Sequence, residues 1–303
     1  MGFELDEPCR CGSGDLYKDC HAPIFAAPPN KQLQVAQTRY ANGWSQNADR
    51  YKAQGLYSKL ALDLVSVGNI EKVFDIGCGL GHGLEALQGA LSAQESLIIG
   101  VDENPDCIAG AVERLDLELN PAAHQRLKSK RQLSGHFSIQ VKKVRLPTPG
   151  PIFVINADML IGDPQFEAWI EEQSPFDAVT MWFMGVHKGR SMTKINSRLG
   201  LQSDRDNREA LERKQIELAS RLLRSGGVLQ LVNRVVSNEI DSYRNTLIEE
   251  AETKLMESGL DFSSLTPFLY EEPDNGGSIR VSTPGLDVVG VPTYATSVLA
   301  TKV

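Results

Sequence analysis

From Lys72 onward, short apolar runs alternate with helically patterned stretches, and this alternation constrains the fold more than any other feature. The runs KVFDIG (72–77), SLIIGVD (96–102), PIFVINAD (151–158), FDAVTMWF (176–183) and VLQLVNRV (228–235) read as strands buried on both faces. HGLEALQGAL (82–91), PDCIAGAVERLDLEL (105–119) and REALERKQIELASRLLRSGG (208–227) read as helices between them. Asn104-Pro105 marks the start of the second, and Gly226-Gly227 closes the third. A further helix (238–259) and two closing strands, LTPFLY (265–270) and ATSVLATKV (295–303), complete the series. Such an order predicts an α/β fold, a mostly parallel sheet with helices on both faces. Ligands of these sheets bind beyond the carboxyl ends of the strands.

Upstream, residues 31–66 carry helical spacing at Leu33, Tyr40, Trp44, Tyr51, Leu56, Tyr57 and Leu60. Residues 186–206 and 271–294 interrupt the pattern; the first reads as polar loop and the second as an added hairpin.

The 303 residues suffice for one large domain, or one domain with an appendage, and the 41% apolar and 23% charged fractions suit a soluble globular protein. No apolar run approaches the roughly 18 residues that span a bilayer. The acidic start MGFELDEP lacks the apolar core of a secretory signal. Five cysteines argue against a disulfide framework, so a cytoplasmic location is expected. A net charge of −8 gives no overall reason to expect a nucleic-acid partner. Yet residues 120–151 hold Arg126, Lys128, Lys130, Arg131, Lys142, Lys143 and Arg145 with no acid. This is either a solvated insertion or a basic arm for an anionic partner.

The sharpest chemical signal is 73-VFDIGCGLGHG-83. A buried strand carrying Asp75 is followed by Gly77, Gly79 and Gly81, which let a ligand approach the main chain. The dinucleotide pattern G-x-G-x-x-G fails, because its third glycine position is His82 in one register and Leu84 in the other. Asp75 suits a cationic amine better than a pyrophosphate. Asp102 ends the second strand, where a carboxylate can accept both hydroxyls of a ribose. Asp158 ends the third and can accept an adenine amine. Each acid alone reads as a cap or turn residue; together they describe a site for an amino-acid-bearing adenosine.

This constellation resembles the class I S-adenosylmethionine-dependent methyltransferases from about Lys72 to the C-terminus. VFDIGCGLG resembles the first motif, and GVDENPDCI the second, with Asp102 on the ribose and Glu103 beside it. INADML resembles the third, with Asp158 and Met159 at the adenine, and FDAVTMWFMGVH the fourth, with Met181 and Trp182 facing the cofactor. LLRSGGVLQLV resembles the helix–glycine–strand that follows. The resemblance implies a Rossmann-like seven-stranded sheet with its last strand antiparallel, and N-terminal helices (32–66) over the cofactor. Trp44, Tyr51, Gln54 and Tyr57 lie in those helices, though such aromatics also suit ordinary core. His187 is the candidate general base, since an imidazole titrates near neutrality. His82, inside the glycine loop, is expected to face cofactor or solvent. Trp182 and Phe183 are candidates to wall the acceptor pocket. No N-P-P-Y-like segment follows the fourth strand, and the acceptor stays open. A non-catalytic cofactor-binding adaptor and an aminopropyl transferase on the same fold remain alternatives.

At the N-terminus, PCRCGSGDLYKDCH (8–21) supplies Cys9, Cys11, Cys20 and His21, a set that suits a closed structural zinc site. It resembles the SEC-C motif, departing at Arg10. The resemblance implies a zinc module (1–22) with protein- or ribosome-facing contacts, followed by a linker (23–31) and the catalytic domain (32–303).

Overall fold

The computed structural model describes residues 4–9, 16–91, 96–273 and 290–303. Its helices are α1 (Ala22–Ala26), α2 (Gln32–Ala53), α3 (Leu56–Val65), α4 (His82–Ala90), α5 (Pro105–Arg114), α6 (Pro121–His124), α7 (Pro164–Gln173), α8 (Lys194–Leu199), α9 (Asp204–Leu222) and α10 (Ile240–Leu255). The strands are β1 (Lys72–Ile76), β2 (Leu97–Asp102), β3 (Leu127–Arg131), β4 (Phe137–Val141), β5 (Ile152–Asn156), β6 (Phe176–Trp182), β7 (Leu223–Val236), β8 (Leu260–Tyr270) and β9 (Thr293–Lys302).

Seven strands form one sheet in the order β5-β2-β1-β6-β7-β9-β8. β1 pairs in parallel with β2 and β6, β2 with β5, and β6 with β7; β9 runs antiparallel between β7 and β8. The expected α/β layout and antiparallel closing hairpin are therefore both present. Strand order reverses at β1, which places the glycine loop at the switch point, where such sheets open a crevice.

Alternate residues of β1 serve two cores. Val73 packs with α2, α3 and α4 residues such as Ala48, Leu60 and Leu84; Phe74 and Ile76 pack with Phe166, Ile170 and Leu222 on the other face. Side-chain caps start two of the helices: Asn104 accepts from the Asp106 N–H ahead of α5, and Ser203 and Asp206 form a capping box at α9.

The structure departs from the sequence reading in several places. α9 ends at Leu222 rather than at Gly226-Gly227, because Leu223 already pairs with Phe176 in the sheet. The stretch read as a linker begins with α1, whose Ile24 is buried. The basic segment contains an antiparallel hairpin, β3–β4, and the loop at 186–206 contains α8. The hairpin expected within 271–294 falls mostly outside the described residues. Among the described residues no helix is long and apolar enough to cross a membrane.

Candidate functional site

Gly77, Gly79 and Gly81 all have left-handed backbones, with φ of 78°, 53° and 84°. A side chain at the first two would collide with the site. The Cβ of residue 77 would overlap Met184, and that of residue 79 would stand 3.1 Å from Trp44 Nε1. Gly81 does another job: its Cβ would stand 3.1 Å from Ala111 Cα, so it allows α5 to pack close and does not line the cavity. Gly77 and Cys78 donate to the Val101 carbonyl, and Gly79 donates to Asp102 Oδ2 at 3.0 Å. The loop is thus tied to the end of β2.

Asp102 also accepts from the Asn104 N–H at 2.8 Å. One lone pair on each oxygen remains for a vicinal diol. Burial, then the neighbouring Glu103 charge, push its carboxyl up to about 7 against those two N–H donors. Glu103 reaches 2.9 Å from His187 Nε2 and accepts from Gln37 of α2. Although burial opposes it, the His187 and Arg190 charges hold Glu103 below the usual carboxylate range.

Asp158 and Met159 line the cavity, but Asp158 has a protein partner. The Arg190 guanidinium donates to both oxygens of its carboxylate, and the Leu160 N–H adds a third bond, leaving one lone pair free. Asp75 does not line the cavity. It is buried between strands, accepts from Thr180 Oγ1 at 2.6 Å, and is pushed up to about 7 by burial. Met181 is likewise absent from the wall, because its position in β6 turns it into the core with Phe74 and Leu231. Trp182 lies at the wall, its indole N–H fixed on Gln230 Oε1 at 2.9 Å. Phe183 follows with φ of 56°, a left-handed turn that is uncommon for a bulky side chain and recurs at functional sites.

His187 is buried on the cavity wall. Nε2 is turned to Glu103, and Nδ1 is buried without a hydrogen-bond partner among the described residues, close against Gly189, where a Cβ would stand 3.2 Å away. His82 faces neither cofactor cavity nor solvent. It is 3% exposed, stacks on Tyr57 and meets Asp49 Oδ1 at 2.8 Å, tying α4 to α2.

α2 roofs the site. Its Tyr40 and Trp44 line the cavity, and Tyr40 packs so closely on Gly185 that no side chain fits there. Tyr51 and Tyr57 are core, and Gln54 exchanges hydrogen bonds with the Glu271 backbone. With Met184, Tyr40 and Trp44 in place the cavity measures about 60 Å³, far below the roughly 300 Å³ and more of ligand pockets. A larger groove of about 700 Å³ lies between α9, α10 and β7. It touches neither the glycine loop nor the strand-end acids, which both line the smaller cavity. Sequence reading missed Tyr40, Met184 and Arg190; the last sits in a stretch with no periodic signal.

In the leader, Cys9 Sγ and Cys20 Sγ each lie 3.2 Å from His21 Nδ1, and the three ligand atoms fall within 4.8 Å of one another. Cys11, the fourth expected ligand, lies outside the described residues. Two thiols converging on one imidazole nitrogen fit a zinc ion. α1 packs on α2, and Arg39 of α2 donates to the Asp19 carbonyl at 2.7 Å.

A family model for the SEC-C motif matches residues 7–23. Residues 7–23 are a SEC-C motif. No curated protein matches the chain in sequence. Among solved structures, the chain is similar to the AdoMet complex of M. jannaschii TYW2, at 15% identity over 82% of this chain and 74% of that one, with a TM-score of 0.41. A TehB-like SAM-dependent methyltransferase from Corynebacterium glutamicum matches at 12% identity over 87% and 98%, TM-score 0.42. Fibrillarin of Aeropyrum pernix with bound S-adenosyl-L-methionine matches at 12% identity over 80% and 73%, TM-score 0.41. The fold class rests on the strand order, not on these scores.

Proposed function

We propose that the chain is an S-adenosylmethionine-dependent methyltransferase. The observation that carries this reading is the bond from the Gly79 N–H to Asp102 Oδ2, which joins a left-handed glycine loop to a strand-end carboxylate at the switch point of the sheet. The glycines leave room for an amino-acid moiety on the main chain, and Asp102 offers lone pairs to a ribose. When bound, the sulfonium supplies an activated methyl group. The protein's part is to orient, desolvate and, for an acceptor that carries a proton, take that proton.

Gly77 and Gly79 cradle the cofactor, Asp102 and Glu103 hold the ribose side, and Met159 and Asp158 bound the adenine side. Trp182 and Phe183 wall the methyl end, and α2 excludes water. His187 is the group that takes the acceptor proton, with Glu103 2.9 Å from its Nε2. The SEC-C leader holds a structural zinc and docks a protein or ribosomal partner. Thiolate ligands together with the unpaired Cys78 and Cys107 suit the reducing cytoplasm.

Titration calorimetry tests the central claim. S-adenosylmethionine binding with no NAD binding is the expected result; the reverse would overturn it. A labelled-methyl screen of cell extract then names the acceptor, and failure in every fraction would favour the adaptor.

A further inference from the structure

The β3–β4 hairpin is a basic ribbon rooted at the rim of the cavity. Seven of the chain's 31 Lys and Arg fall in residues 120–151, which hold no Asp or Glu; the rest of the chain has 24 against 39, a net −15. Arg126 is the exception within the segment, fully buried against Asp163. The other six are exposed or half-buried, and among the described residues none is in an ion pair with a carboxylate. A run of unpaired cations on an acidic body is unusual, because an acid nearby would screen them at little expense.

Pairing fixes how the cations are displayed. Lys128 stands opposite Gln140 and Lys130 opposite Ser138, so one face of the ribbon is wholly polar. The other face carries exposed Arg131 opposite buried Phe137, and Phe137 bridges to Thr193 three residues beyond Arg190. At the ribbon's root the Leu127 N–H donates to Asn156 Oδ1, and Asn156 Nδ2 donates to the carbonyls of Asp102 and Glu103. Both of those residues line the cofactor cavity. Lys142, Lys143 and Arg145 continue the charge along the irregular segment after β4, and exposed Lys194 at the start of α8 adds to it.

We infer that this ribbon binds the phosphodiester backbone of RNA and holds one nucleotide at the cavity mouth. A five-residue ribbon extends about 17 Å, enough to follow several phosphates. The cavity is recessed under α2, so a base must leave its stack to reach it, and RNA loops present unstacked bases without that penalty. The binding stands on the ribbon alone; the role of the RNA as acceptor rests on the methyl-transfer reading.

The test uses the full-length protein and a fluorescent RNA stem-loop of about 20 nucleotides, with anisotropy read across salt. The wild type is expected to bind with a steep salt dependence. Lys128→Gln/Lys130→Gln/Arg131→Gln should weaken binding about 10- to 100-fold and reduce the log–log salt slope by about 2. Its affinity for S-adenosylmethionine should stay unchanged, and Lys59→Gln, far from the ribbon, should bind RNA like the wild type. Unchanged RNA affinity in the triple variant overturns the proposal. So does equal competition by duplex DNA, anionic vesicles or an acidic peptide at matched charge. RNA binding retained in a protein that binds no S-adenosylmethionine would instead overturn methyl transfer and leave the ribbon assignment standing.

Discussion

Arg190 and Asp158 form a two-pronged ion pair inside the cavity wall, with nitrogen–oxygen distances of 2.5 and 3.0 Å and side chains only 5% and 2% exposed. Removing either partner leaves a buried charge unmatched. Arg190→Met should lower unfolding free energy by about 3–5 kcal/mol in a denaturant titration. The double variant Arg190→Gln/Asp158→Asn should lose less. Asp158→Asn alone should cost stability while cofactor affinity falls less than tenfold. Loss of affinity at full stability would return Asp158 to a primary adenine role.

Asp102 both braces the glycine loop and faces the cavity. Asp102→Ala should abolish measurable S-adenosylmethionine binding in calorimetry, since ribose contact and loop support go together. Asp102→Asn, which can still accept from one N–H, should bind about 10- to 100-fold more weakly than wild type, the loss of roughly two charge-assisted bonds. Wild-type affinity in Asp102→Asn would remove the ribose assignment.

Two glycines give opposite predictions. Gly79→Ala forces a left-handed alanine against Trp44 and should cost about 1–2 kcal/mol by thermal unfolding, with cofactor binding lost. Gly89 lies in α4 with open space around it, so Gly89→Ala should stabilise by about 0.5–1 kcal/mol and leave binding intact.

Proton linkage follows from two raised carboxyls. Asp75 and Asp102 sit at about 7 in the folded chain against 3.8 for the free side chain. Between those values the folded state holds more protons than the unfolded one. Their contribution to stability therefore falls as pH rises from about 4 to about 7, and is constant above. Asp75→Asn should flatten that slope. His82, lowered by burial despite Asp49, acts oppositely as pH drops below 6.5. Ribose hydroxyls favour ionised Asp102, so cofactor binding near pH 6.5 should release protons, seen as a buffer-dependent calorimetric enthalpy that Asp102→Asn lacks.

Protein purified without chelator should contain about one equivalent of zinc by elemental analysis. Less than about half an equivalent would count against the metal. Cys20→Ser should lower both zinc content and melting temperature, because Cys20 and His21 lead directly into α1.

The parallel strands were legible because strands covered on both faces must be continuously apolar; KVFDI and LIIGVD are. The glycines and Asp102 were legible because their backbone roles leave few other residues possible. β3 was not, since Leu127-Lys-Ser-Lys-Arg has a single apolar residue, and its strand character comes from pairing with Phe137 to Val141. Met181 and Trp182 are adjacent and equally apolar. Only the pleat decides that one enters the core and the other the wall. Asp158's pairing with Arg190 joins positions 32 apart through a loop that carries no period.

Helix α2 touches both the Cys/His leader and the cavity. Arg39 holds the Cys/His leader, while Gln37, Tyr40 and Trp44 lie on Glu103, Gly185 and Gly79. These contacts fall within two turns of one helix. A metal in the leader and a cofactor under α2 would be thermodynamically linked through this helix, and the linkage would be reciprocal: whatever the metal did for cofactor affinity, the cofactor would do in equal measure for the metal.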